Sequence, residues 1–228
     1  LDIMKTTKAR MDTAKNINLY MYRSLSYSYI LILQSKYSVD AKIDELRDIY
    51  IKSMHYFLQA FNKRNPIYAD ILNYVSLGVL LNIPDNNFRQ LIDYVKQMDK
   101  QAKPSGWTPD LLLWFMLNSR MKEQEKQKYA ETLAYPRLYN GLYKVIQAPN
   151  AAAAKDALSK YLDRWYNLNS NAPWYNSHLK DNSYRGYWAW EVAAVAKIMH
   201  IDDSDLKNNQ YYPYDMVHWA DNETTAKE

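Results

Sequence analysis

From Tyr187 to Met199 the chain reads YWAWEVAAVAKIM, a run in which Glu191 and Lys197 are the only charges. A helix that is apolar on every face has to be surrounded, so this segment predicts a buried central helix with other elements packed around it. Those other elements are expected to be helices as well. The 228 residues include only 4 Gly, which removes the material for tight hairpin turns and for phosphate-cradling loops. No segment alternates apolar and polar residues as a half-buried strand does. At 48% apolar residues, a chain of this length has ample material for a core.

Periodicity and punctuation place the other helices. Leu19 to Gln34, Asp40 to Phe61, Ile67 to Leu81 and Asn86 to Met98 read as helices, broken at Ser38, Pro66 and Pro84-Asp85. Thr108-Pro109-Asp110 reads as a helix start, with Thr as cap, Pro in the first turn and Asp complementing the dipole. A buried helix from Leu111 to about Met121 follows. Beyond Pro149-Asn150, the residues Leu158, Tyr161, Leu162 and Trp165 recur at i, i+3, i+4 and i+7 as one apolar stripe, and Asp156 and Lys160 pair at i, i+4 outside it.

An internal repeat at an offset of 118 residues pairs Leu72, Asn73, Leu77, Leu80, Leu81 and Ile83 with Trp190, Glu191, Val195, Ile198, Met199 and Ile201. The turn repeats too: Ile83-Pro84-Asp85 answers Ile201-Asp202-Asp203, each with an Asp that can cap the next helix. Asn73 and Glu191 share one position of the repeat, so each is expected to be a buried polar anchor bonded to backbone at a neighbouring helix end. The expected fold is all-α: stacked antiparallel helical hairpins, an α-solenoid-like helical bundle whose two similar halves share an interface. The junction falls in Gln101 to Trp107, giving an N-terminal helical domain over 1–103 and a C-terminal helical domain over 104–228.

Several chemistries lack their residues. With 0 Cys there is no disulfide scaffold, no thiol nucleophile and no Cys-ligated metal. His55, His178, His200 and His218 form no zinc-binding pair at i, i+4. A calcium loop starting at Asp203 would put Lys207 at its fifth position and Asn208 where glycine is needed. Neither G-x-S-x-G nor a Gly-rich phosphate loop is present. No catalytic residue, cofactor site or metal site is therefore expected. The longest purely apolar run, Leu111 to Leu117, is far too short to span a bilayer, and the N-terminal segment is charged rather than signal-like, as expected of a soluble intracellular protein without a membrane partner.

The net charge of +4 conceals a polarity: residues 1–180 carry 25 Lys+Arg against 16 Asp+Glu, and residues 181–228 carry 4 against 9. The basic charges of the body are scattered among acids, as on a solvated surface, and no direct nucleic-acid contact is expected. The acids of the C-terminal part are denser. Asp202, Asp203, Asp205 and Asp215 lie with Tyr211, Tyr212 and Tyr214 in a turn region expected to be exposed. Carboxylates beside tyrosines suit a basic protein partner, the acids steering the encounter and the rings anchoring it. Two other readings stay open at this level: an enzyme with Glu191 as acid or base in a helical cleft, and a helical-repeat scaffold for another protein. Oligomeric state is open as well.

The spacing Leu158-x-x-Tyr161-Leu162-x-x-Trp165-Tyr166, Trp174-Tyr175-x-x-His178, Tyr184-x-Gly186-Tyr187-Trp188-x-x-Glu191, Asp202-Asp203-Ser204-x-Leu206 and Tyr211-Tyr212-Pro213-x-Asp215-Met216-Val217 resembles the PoNi immunity proteins over residues 151–219. The N-terminal half, around Leu19 to Arg23 and Lys42 to Phe57, is similar to that family's N-terminal helical domain. The resemblance implies a bacterial, cytoplasmic, non-enzymatic protein that binds a cognate PoNe-type DNase toxin, often one delivered by type VI secretion, and blocks its active or DNA-binding face. Such a toxin holds phosphates with Lys and Arg, so its basic surface would meet the acidic turn.

Overall fold

A computed structural model describes residues 5–6, 9, 19–60, 67–102, 106–179 and 186–225. Nine α-helices and no strand occur among the described residues: α1 (Leu19–Tyr37), α2 (Ile43–Ala60), α3 (Tyr68–Leu80), α4 (Asp85–Gln97), α5 (Leu111–Asn118), α6 (Pro136–Ile146), α7 (Ala151–Leu168), α8 (Trp190–Met199) and α9 (Tyr214–Thr225). The all-helical expectation holds. One of these helices, α6, was not foreseen, and the helix expected after Asp203 begins only at Tyr214.

The helices gather into two compact units, one of Leu1–Tyr74 with Ile83–Thr108 and one of Val75–Asn82 with Pro109–Glu228. In the first unit α1 and α2 form a hairpin, with Leu25, Leu33, Leu46, Met54 and Phe57 almost wholly buried. Its polar centre is Tyr74, whose hydroxyl lies 2.7 Å from Ser26 Oγ and 2.6 Å from Ser53 Oγ. Tyr50 donates to the Tyr74 carbonyl at 2.6 Å, and the Phe57 ring stacks on Tyr74 at 4.0 Å. Three buried hydroxyls thus satisfy one another inside an apolar core, which avoids the cost of leaving any of them unpaired.

In the second unit α8 is the centre, as its apolar circumference requires. Val192, Ala193, Ala194, Val195 and Ala196 are buried, and α8 contacts α5, α6, α7 and α9. Its three alanines let neighbours come close. Its cation, Lys197, donates to the Leu80 carbonyl at 2.9 Å, and Trp219 Nε1 donates to the same oxygen at 2.8 Å. Leu80 ends α3, where carbonyls lack intrahelical partners, so two donors from α8 and α9 complete that helix end. The helix-end anchor is therefore Lys197, not the residue at the repeat's polar position.

Capping also departs from expectation. Asp110, fully buried, is the N-cap of α5: one carboxylate oxygen accepts from Leu113 N at 2.7 Å and the other from Ala134 N at 2.7 Å. Thr108 plays no such part, because a carboxylate one residue from the helix reaches its free N–H groups. Asn150 caps α7 by accepting from Ala153 N at 2.9 Å. Neither Asp85 nor Asp203 caps the helix after its turn: α4 follows Pro84 without a side-chain cap, and Asp203 turns inward. The repeat has one counterpart in the backbone. Asn82 (φ 44°) follows the end of α3 and His200 (φ 52°) follows the end of α8, both left-handed and 118 residues apart.

Candidate interaction surface

The acidic turn begins at His200 and splits its carboxylates into two groups. Asp202 and Asp205 are exposed and share one cation, Lys155 of α7, at 2.7 and 2.8 Å. Asp202 also accepts from Ser204 N at 3.2 Å and Ser204 Oγ at 2.6 Å, so its other oxygen closes the turn. These bonds, that from Lys155 foremost, hold the Asp202 carboxyl well below the usual carboxylate range, and the two aspartates hold the Lys155 ammonium above its ordinary value. Asp215, in the first turn of α9, is exposed and makes no ion pair among the described residues.

Asp203 is a correction: expected on the surface, it is 2% exposed. Both of its oxygens are used from inside, one by the Tyr212 hydroxyl at 2.6 Å and the other by His218 Nε2 at 2.7 Å. Tyr212 is buried with it. A carboxylate can be enclosed this way because charge-assisted bonds replace its lost water. The network ties the turn to α9, and the Tyr214 ring lies 4.3 Å from the His218 ring, with Lys207 Nζ 5.9 Å from the tyrosine's centre.

Tyr211 belongs to an aromatic cluster that sequence reading did not assemble. Its ring stacks on Tyr166 at 5.2 Å with a 2° interplanar angle and meets Trp165 at 5.5 Å. Trp174 stacks on Trp165 at 5.4 Å, and Tyr187 lies 5.1 Å from Tyr166. The tryptophans divide: Trp165 and Trp190 are buried, whereas Trp174 and Trp188 are half-buried. Large amphipathic rings with one edge in solvent are suited to anchoring a protein partner.

Glu191 sits in the first turn of α8 and accepts from Trp165 Nε1 at 2.6 Å. Besides its own backbone N–H, its partner is therefore an indole of α7 and not a backbone group at a neighbouring helix end. A strip of the residue reaches the surface, yet the carboxyl is crowded enough for burial to push it up to about 6 against the opposing hydrogen bonds. The neighbouring Tyr139 and Tyr161 phenols are raised as well, by burial first and by the Glu191 charge second. Asn73, its counterpart in the repeat, is half-buried and makes no side-chain hydrogen bond among the described residues.

Among the described residues no three His, Asp or Glu side chains converge as a metal site, and no helix is long and apolar enough to cross a membrane. The geometry thus defines an all-helical protein that carries an ion-paired, ring-bordered acidic surface on its second unit. Residues 2–93 match the family model described as PoNe immunity protein (PoNi), N-terminal, and residues 108–216 match PoNe immunity proteins (PoNi), C-terminal. The chain belongs to the PoNe immunity proteins. In fold it is similar to the crystal structure of protein PA2201 from Pseudomonas aeruginosa, with a TM-score of 0.67 at 19% identity over 90% of this chain and 76% of that one. A search of curated proteins finds no match.

Proposed function

We propose that this protein binds a cognate PoNe-type DNase toxin in the bacterial cytoplasm and neutralises it by covering its active or DNA-binding surface, without catalysis of its own. Membership of the immunity family carries this reading. The contact is assigned to the turn and the start of α9, where Asp202, Asp205 and Asp215 face solvent and the half-buried Tyr211 and Tyr214 border them. Asp203 and Tyr212 act from beneath by holding the turn in shape.

The physical argument is charge complementarity. A DNase surface must present Lys and Arg to phosphates, and fixed carboxylates can occupy the same cations. Lys155 keeps Asp202 and Asp205 in one geometry before any partner arrives, so less side-chain freedom is lost on binding. The three exposed aspartates and Lys155 together carry −2, from −3 and +1. Association is then expected to weaken as salt rises.

Co-expression with the product of the adjacent gene tests the function, since that product should be a toxic DNase that this protein neutralises and co-purifies with. The variant D202K/D205K/D215K tests the surface: it should slow association and flatten the salt dependence while helicity is unchanged. Unaltered toxin binding and salt dependence in that variant would move the contact elsewhere.

A further inference from the structure

The α6–α7 hairpin carries a groove of about 820 Å³ on the outside of the second unit. Its walls hold Arg137 and Lys144 from α6 and Lys160 and Arg164 from α7, against Asp156 and Asp163. Lys160 is engaged by Asp156 at 2.7 Å, whereas Arg137, Lys144 and Arg164 make no ion pair among the described residues. The walls therefore have a net charge of +2, from four cations and two carboxylates. This is opposite in sign to the acidic turn.

Two features give the groove its form. Gly141, midway between Arg137 and Lys144 in α6, has no side chain where a Cβ would lie 2.5 Å from Tyr161 Cδ2, so the Tyr161 ring fills that place as part of the floor. Consecutive helices joined by so short a turn run antiparallel, and the Gly141–Tyr161 contact then puts Arg137 towards Arg164 and Lys144 towards Lys160. A cation from each helix stands at each end. Along the groove Leu138, Ala157 and Leu168 add half-buried apolar surface.

We infer that this groove is a second docking surface, for an acidic, carboxylate-bearing segment of a protein. Carboxylates match the unengaged Arg137 and Arg164 forks and the Lys144 ammonium, and the apolar floor takes the side chains between them. Nucleic acid fits less well. The interleaved Asp156 and Asp163 repel phosphates, and Arg137 to Lys144 spans only about 10 Å at 1.5 Å per residue, a short track for a phosphate backbone.

Fluorescein-labelled hexaglutamate is the probe, with hexathymidylate of similar charge as competitor and fluorescence anisotropy as readout in about 50 mM salt. Hexaglutamate should bind the full chain and hexathymidylate should displace it poorly. The variant R137E/R164E, which takes the walls from +2 to −2, should weaken binding about tenfold or more, whereas K42E/K52E in α2 and the segment before it, with the same change of charge elsewhere, should leave it unchanged. Since Arg137 and Arg164 are exposed, helicity and Tm of the variant should equal those of wild type, and K144E should reproduce the loss if they do not. The inference is overturned if hexaglutamate does not bind, if both double variants bind alike, if hexathymidylate binds more tightly, or if sedimentation shows that R137E/R164E splits a dimer of the wild-type chain.

Discussion

Replacing Glu191 by Gln should make the protein more stable at neutral pH, although it removes a charge that is hydrogen-bonded. Burial raises the carboxyl to about 6 from an ordinary value of 4.5, and a rise of roughly one and a half pH units corresponds to about 2 kcal/mol. Because the folded value lies above the unfolded one, the stabilising contribution is complete below about 4.5 and is lost as pH rises through about 6. At pH 7 the ionised carboxylate carries the whole penalty. Gln is always neutral, and its amide oxygen can still accept from Trp165 Nε1. Urea unfolding and thermal melts of both proteins should give a gap of about 2 kcal/mol at pH 7, or roughly 4–8 °C in Tm, that falls below about 0.5 kcal/mol at pH 4.5. Taking the difference between the two proteins cancels every carboxylate they share. A gap that does not vary with pH, or a Gln variant less stable than wild type at pH 7, would show that the indole bond and not desolvation governs Glu191.

Three further outcomes follow from the packing. Asp110→Ala removes the α5 cap and leaves the Leu113 and Ala134 N–H groups without their acceptor, which should cost about 2–4 kcal/mol in urea unfolding. Gly141→Ala drives a Cβ into Tyr161, so the variant should lose about 1–2 kcal/mol even though alanine favours the helix; a gain in Tm would mean that the ring moves freely. Lys155→Ala should let the Asp202 carboxyl rise towards its ordinary value in an NMR titration, since the Lys155 bond is the largest cause of its lowering.

Much of the fold was legible because it is written in local spacing. The stripe Leu158, Tyr161, Leu162 and Trp165 is buried along α7, and Asp156 and Lys160 pair at 2.7 Å on its outside. α6 was overlooked although Pro136 stands at its first position with Leu138, Tyr139, Leu142 and Val145 behind it, a start signal and an apolar stripe that could have been read. The left-handed exits at Asn82 and His200 were also within reach, because asparagine tolerates that conformation and the repeat marks both positions.

The candidate surface was legible in its residue types but not in its exposure. Asp202 and Asp203 are neighbours in sequence, yet one faces Lys155 from outside and the other faces Tyr212 and His218 from inside. Nothing local distinguishes two adjacent aspartates. Their fates depend on Lys155, 47 residues earlier, and on a histidine 15 residues later.

Sequence alone determined the all-helical class, most helix positions, the central place of α8 and the likeness to the immunity family, since apolar periodicity, capping residues and motif spacing act over short stretches of chain. Tertiary structure alone decided which polar groups are used up and which remain available. It gave Glu191 to an indole, the end of α3 to Lys197 and Trp219, and Asp203 to the core, while Arg137, Lys144 and Arg164 were left along an open groove. The reason is that a hydrogen bond or an ion pair depends on distance in space, and residues 26, 47 or 117 positions apart meet only once the helices have packed.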